Sequence, residues 1–218
     1  NENFKRINYL NCIKNSDTKD LYYLMGDSYG EHFINVLAKN KHIKNLYYAR
    51  LDNENFADKK NKTTAKNTKR NYDKIKKQFY GDKTIIISIN YPKELNYKKL
   101  NDFTNSFDNE NIIFISPHLF KESNDKCEAT VNSFKICYLN KDTESIQKFK
   151  STINLLKNDN KNIDIYDLTS FFCNSDVCTN YVEKIDLYVF VDYFSHFTKE
   201  FANYISSDFF IFLKSTSM

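Results

Sequence analysis

Leu21-Tyr22-Tyr23-Leu24-Met25-Gly26-Asp27-Ser28-Tyr29-Gly30 carries an apolar run straight into a Gly-Asp-Ser turn. Beyond it, Phe33, Val36 and Leu37 fall at helical spacing within 31–40, so a buried strand is expected to end where a helix begins. A serine on such a turn sits at a helix N-terminus, where unpaired backbone N–H groups and the helix dipole favour negative charge. A hydroxyl nucleophile, and the oxyanion it creates on an ester, would be stabilised there. The same tripeptide also suits an ordinary strand-to-helix loop with Asp27 or Ser28 as N-cap.

Along the rest of the chain, 21–25, 45–50, 84–89, 111–116 and 162–168 are apolar runs bounded by polar residues. Longer polar or amphipathic segments separate them, at 31–40, 68–79, 97–106 and 145–157. Strands alternating with helices predict a parallel sheet covered on both faces. The expected fold class is therefore α/β, a three-layer α/β/α sandwich with a mostly parallel sheet. Residues 187–191 read either as a short extra strand or as an extended approach to a histidine-bearing block.

That block, Val191-Asp192-Tyr193-Phe194-Ser195-His196-Phe197-Thr198, sets an acid and a histidine close together before an amphipathic segment. Thr198 is the expected N-cap, with Phe201, Tyr204 and Ile205 forming one apolar face. A histidine on a loop at a helix start can serve as a general base, and a nearby carboxylate can orient its ring. A lone histidine among aromatics can equally be a packed or surface residue. The two features together, one near each end of an α/β chain, say far more than either alone.

Those blocks resemble the SGNH (GDSL-like) hydrolase family, with Gly26-Asp27-Ser28 as the nucleophile block and Asp192 to His196 as the acid–histidine block. Within it, the chain is similar to the SGNH domain attached to membrane-bound acyltransferase-3 proteins, which O-acetylate bacterial surface polysaccharides. Cys12 ahead of the turn, the pair Cys173 and Cys178 before the histidine, and His196-Phe197-Thr198 running into a helix carry that narrower likeness. The resemblance spans roughly residues 12–208 and implies a flavodoxin-like sheet. Three departures stand out. Asp192 lies four residues before His196, where the family spaces three and this chain has Tyr193. The glycine block after the second strand is missing, since Tyr48-Ala49-Arg50-Leu51-Asp52 holds no glycine. Asn90, after the central strand, matches the family's asparagine without the rest of its motif.

The resemblance implies Ser28 as nucleophile, His196 as base and Asp192 as its partner, with the Ser28 backbone N–H and the Asn90 amide facing the oxyanion. The implied function is acyl, specifically acetyl, transfer to a cell-surface polysaccharide through an acyl-serine. A carbohydrate O-acetylesterase, or a degenerate SGNH domain that only binds glycan, are the alternatives. Asn90 also reads as a turn residue before Pro92, and Asp27 as a turn and capping residue rather than a second acid. His32 is expected at the surface or in packing, and His42 and His118 carry no motif, although Pro117-His118 follows a strand end.

Length and composition set the frame. The 218 residues are expected to form one domain over 1–218, with 1–18 a lead-in and 53–70 a basic loop insertion. Gly 3 and Pro 2 are so few that turns must rest on Asn and Asp. Between 58 and 77 nine lysines and arginines face only Asp58 and Asp73, first as a loop and then as a solvated helix. Such a run can attract an anionic surface, but a net charge of +4 does not demand a polyanion, and no nucleic-acid partner is expected.

Cys173 with Cys178, and Cys127 with Cys137, could pair as disulfides and leave Cys12 over, or stay reduced. No metal site or cofactor is expected. The longest late apolar run, Phe209 to Leu213, is far short of the ~20 residues a spanning helix needs. The chain opens on Asn1, so it is expected to be a fragment of a longer membrane-anchored protein, placed in the periplasm or otherwise outside the cytoplasm. Expected partners are an acyl donor, a polysaccharide or sugar acceptor, and a membrane acyltransferase domain in the same polypeptide.

Overall fold

The computed structural model describes residues 10–14, 19–57, 64–91, 94–108, 110–117, 120–121, 136, 138–140, 142–160, 162–174, 177–189 and 197–216. Strand β1 (Leu10–Lys14) precedes β2 (Leu21–Gly26), α1 (Ser28–Lys39), β3 (Leu46–Arg50) and α2 (Thr64–Lys76). Then come β4 (Lys83–Ser88), α3 (Tyr97–Asn105), β5 (Asn111–Ile115), α4 (Glu144–Asp159) and β6 (Ile163–Tyr166). The one-turn α5 (Thr169–Phe172) and the long α6 (Lys199–Thr216) follow, with short two-stranded ladders outside the main sheet.

The six strands form one sheet in the order β1-β3-β2-β4-β5-β6. All neighbours from β3 to β6 are parallel, and β1 joins β3 antiparallel at the edge. Counted from β2, the five parallel strands run 2-1-3-4-5, the flavodoxin-like order that the family resemblance implies. All five expected strands and all four expected helices are present. The edge strand β1 lies in the stretch expected as a lead-in, because Leu10-Asn11-Cys12-Ile13-Lys14 shows no strict alternation, although the turn-favouring residues Asn15-Ser16-Asp17 follow it in sequence.

Alternate strand residues feed two cores. Leu24, Ile86, Ile113 and Ile115 face α1 and α6, joining Phe33, Val36, Phe201 and Phe209. Tyr23, Met25, Ile85, Ile87 and Phe114 face the other way, against Tyr72 of α2, Leu100 of α3 and Phe149 of α4. This period of two within continuous apolar runs is what a strand covered on both faces requires. Helix α2 begins at Thr64, so it takes in the end of the stretch read as a basic loop; residues 58–63 lie outside the described residues. The helix is solvated on one side only, since Thr68, Tyr72 and Ile75 are buried.

Candidate active site

Strand β2 is followed by β3 on one side and β4 on the other, so the chain's path reverses between β2 and β4. In open α/β sheets the crevice at the carboxyl ends of two such strands is the usual ligand site. Ser28 follows β2 and Asn90 follows β4, and the ends of the two strands are in register, Gly26 opposite Ser88.

Glycine explains how α1 can start so tightly there. A Cβ on Gly26 would run into the Ser88 carbonyl oxygen and lie 2.5 Å from Gly30 Cα. One on Gly30 would come within 3.0 Å of the same oxygen. The chain thus spends two of its Gly 3 on letting the first turn of α1 press against the end of β4. That pairing was a signal available in the sequence.

Ser28 is the first residue of α1 and is half-buried. Asp27 is the N-cap: its Oδ1 accepts from the Tyr29 N–H at 3.0 Å. Its Oδ2 accepts from the backbone N–H of Asn90 at 2.9 Å. One carboxylate therefore caps the helix that begins with Ser28 and ties it to the loop that carries Asn90. The expectation that Asp27 turns and caps is met, and the second bond could not be read from sequence. Burial pushes the Asp27 carboxyl above its ordinary value, while the Asn90 and Tyr29 N–H groups and the Arg50 charge pull it back.

Tyr48 of β3 closes the turn from the side. Its hydroxyl donates between the carbonyl oxygens of Gly26, at 2.9 Å, and Asp27, at 3.2 Å. Burial, then the Glu31 carboxylate, pushes its phenol upward, so it remains a donor. Where the family's glycine block is missing, the end of β3 instead carries Arg50, paired to Asp52 at 3.0 Å and to Glu31 at 3.6 Å. Sequence reasoning missed Tyr48, because nothing local marks a strand tyrosine as a turn support.

The start of α6 lies at the same edge. Phe171 and Phe172, past the carboxyl end of β6, meet Phe201 and Phe197, whereas Tyr166 at the end of β6 meets Phe209 and Phe212. Helix α6 therefore runs opposite to β6. Helix α1, joining two parallel strands, also runs opposite to them, so both helices begin at the carboxyl edge. The two pack together where Ser206 Oγ donates to the Val36 carbonyl at 2.7 Å.

Thr198 caps α6 as expected, its Oγ1 accepting from the Phe201 N–H at 3.1 Å. That hydroxyl donates to the Tyr188 carbonyl at 2.8 Å, and the Thr198 N–H donates to the Val189 carbonyl at 2.7 Å. Val189 in turn donates to the Asn180 carbonyl, at 2.7 Å. Upstream, Cys173 and Cys178 form a disulfide across a two-residue ladder, and the Thr179 N–H donates to the Phe172 carbonyl. Residues 187–188 pair with Tyr181–Val182, a separate hairpin rather than a strand of the main sheet. Phe201 and Ile205 are buried, but Tyr204 lies at the exposed rim against Phe171.

Asp192 and His196 lie outside the described residues, as do His118, Cys127 and Cys137, and the side chain of Cys12. Ser28 and Asn90 are brought together through Asp27. His32 is half-buried on α1, and His42 is exposed and stacks on Phe210.

A family model described as SGNH domain (fused to AT3 domains) matches residues 2–210, and the chain belongs to that family. It is thus an SGNH-type acyltransferase or esterase. Among solved structures it is similar to the lipopolysaccharide acetyltransferase periplasmic domain of Salmonella ser. Paratyphi A, with TM-score 0.60 and 17% sequence identity. That likeness covers 93% of this chain and 85% of the other, and at such identity it is a likeness of fold. No curated protein matches the sequence. Among the described residues, no helix is long and apolar enough to cross a membrane.

Proposed function

We propose that the chain transfers an acetyl group to a cell-surface polysaccharide through an acyl-serine on Ser28. The observation that carries this reading is Ser28 opening α1 at the sheet's reversal point, its turn bonded through Asp27 to Asn90. In the proposed cycle Ser28 Oγ attacks the donor's acyl carbonyl while His196 takes the hydroxyl proton. The Ser28 N–H and the Asn90 side-chain amide face the oxyanion; one such donor is worth ~3–4 kcal/mol of barrier. Collapse breaks the bond between the acyl carbon and the donor's leaving group, which receives the proton from His196. His196 then deprotonates a sugar hydroxyl, which attacks the acyl-serine and restores Ser28. Asp192 orients the imidazole and stabilises its charged form.

Water in place of the sugar hydroxyl gives an O-acetylesterase by the same intermediate. The family description favours transfer, because its members are fused to AT3 domains. By the same reasoning the chain is one SGNH domain of a longer polypeptide. A membrane acyltransferase domain in that polypeptide supplies the acyl group, and the SGNH domain works outside the cytoplasm. The similar Salmonella domain is periplasmic and belongs to a lipopolysaccharide acetyltransferase.

Turnover of p-nitrophenyl acetate tests the reading. Ser28→Ala is expected to reduce it by about 10³-fold or more. Unchanged turnover would mean that Ser28 is not the nucleophile and would count in favour of the glycan-binding alternative.

A further inference from the structure

Opposite the Ser28 edge, the C-terminal ends of α1 and α6 meet around His42. Its ring stacks on Phe210 with centroids 4.1 Å apart, and the Lys214 ammonium lies 4.6 Å from the centre of the same Phe210 ring. Lys41 and Lys44 flank His42 in the chain, and both are exposed. Withdrawal from water against Phe210, then the charges of Lys41, Lys214 and Lys44, lower the His42 pKa. Three ammonium groups thus act on one ring, and none of them has an ion pair with a described carboxylate. The nearest acid on α6, Asp208, is engaged by the Tyr166 hydroxyl at 2.7 Å. Beside the cluster Ile211 stands 68% exposed, one helical turn before Lys214.

Helix-dipole pairing accounts for a lysine in the last turn of a helix, such as Lys214. It does not account for Lys41 and Lys44, which lie beyond α1, or for an isoleucine held in water. Like charges gathered without counter-charges repel one another, and an anionic partner relieves that repulsion. An apolar side chain among the lysines distinguishes that partner from a simple anion, since cations beside a shallow apolar anchor match a charged bilayer surface.

We propose that this end of the domain docks on an anionic phospholipid bilayer through Lys41, Lys44 and Lys214, with Ile211 entering the headgroup region. Helix α1 spans about 18 Å from Ser28 to Lys39, so docking turns the Ser28 edge away from the lipid. The inference stands on the patch alone and does not depend on the acyl-serine chemistry.

Vesicle co-sedimentation of the 218-residue chain at low salt provides the test. Vesicles of phosphatidylcholine with one-third phosphatidylglycerol are expected to bind it, and phosphatidylcholine alone is not. Each lysine contributes roughly a fivefold factor in partition. The pair Lys41→Gln and Lys44→Gln is then expected to weaken binding about twenty-five-fold, and Ile211→Ser several-fold. Lys66→Gln with Arg70→Gln, on the exposed side of α2, should change it less than about twofold. Equal loss from the α2 pair, or indifference to phosphatidylglycerol, would overturn the proposal. Binding to dextran sulfate beads that matches the anionic vesicles, with Ile211→Ser silent, would assign the patch to a soluble polyanion and overturn it too.

Discussion

Helices α1 and α6 both begin at the carboxyl edge of the sheet, and they are held there by different means. Helix α1 is capped by a buried carboxylate whose second oxygen reaches a loop 63 residues away. Helix α6 is capped by a threonine whose other bonds go to Tyr188 and Val189, within ten residues of it. The first start is fixed to the centre of the sheet, with glycine contacts on one side and the Tyr48 hydroxyl on another. The second is fixed to its own hairpin, and the Cys173–Cys178 disulfide closes the ladder between α5 and that hairpin. In the proposed cycle the nucleophile opens the helix anchored in the core, and the base precedes the helix anchored on a peripheral hairpin.

The largest expected effect breaks the comparison from the α6 side. His196→Ala should lower p-nitrophenyl acetate turnover by about 10³-fold or more while leaving the unfolding midpoint in place. A drop under tenfold would mean that the α6 start carries no chemistry.

Next in size is a steric attack on the α1 side. Gly26→Ala pushes a methyl group into the Ser88 carbonyl and the Gly30 backbone, neither of which can swing aside. It should cost about 3 kcal/mol of stability in urea unfolding, at the upper end for overpacking.

Asp27→Asn is gentler and more informative. The amide oxygen can still accept from Tyr29, but its NH2 then meets the Asn90 N–H, with a loss of about 2 kcal/mol. The Asp27 pKa is raised above its ordinary 3.8 in the folded protein, so the native state holds that proton more tightly than the unfolded chain does. This contribution is complete below the unfolded value and disappears as pH rises through the folded one. The wild type's lead over Asp27→Asn should therefore shrink as pH rises above the ordinary carboxylate range, measured by urea midpoints at a series of pH values. A lead that grows over that range would show that the carboxylate is favoured by its surroundings.

The smallest effect falls on Thr198→Ala, about 1 kcal/mol for a lost cap. If it lowers turnover more than Asp27→Asn does, the α6 start is the more tightly coupled of the two.

Much of this architecture was legible. The apolar runs and their spacing marked every parallel strand, because a strand covered on both faces must be apolar throughout. Gly26-Asp27-Ser28 and Thr198 announced their helix starts through residue types that only a few backbone positions favour. The Asp27–Asn90 bond was not legible, since a carboxylate's second partner lies wherever the fold brings a free N–H. Tyr48 was hidden for the same reason, as one tyrosine among 16. Strand β1 escaped because an edge strand needs only one good neighbour, and its five residues carry no pattern of their own.

A fluorophosphonate probe with peptide mass spectrometry as readout examines the proposed nucleophile most directly. The acyl-serine mechanism predicts one adduct, on Ser28, formed in the wild type and sharply slowed in His196→Ala. An unlabelled Ser28 in folded protein, or an adduct on another serine at equal rate, would contradict it.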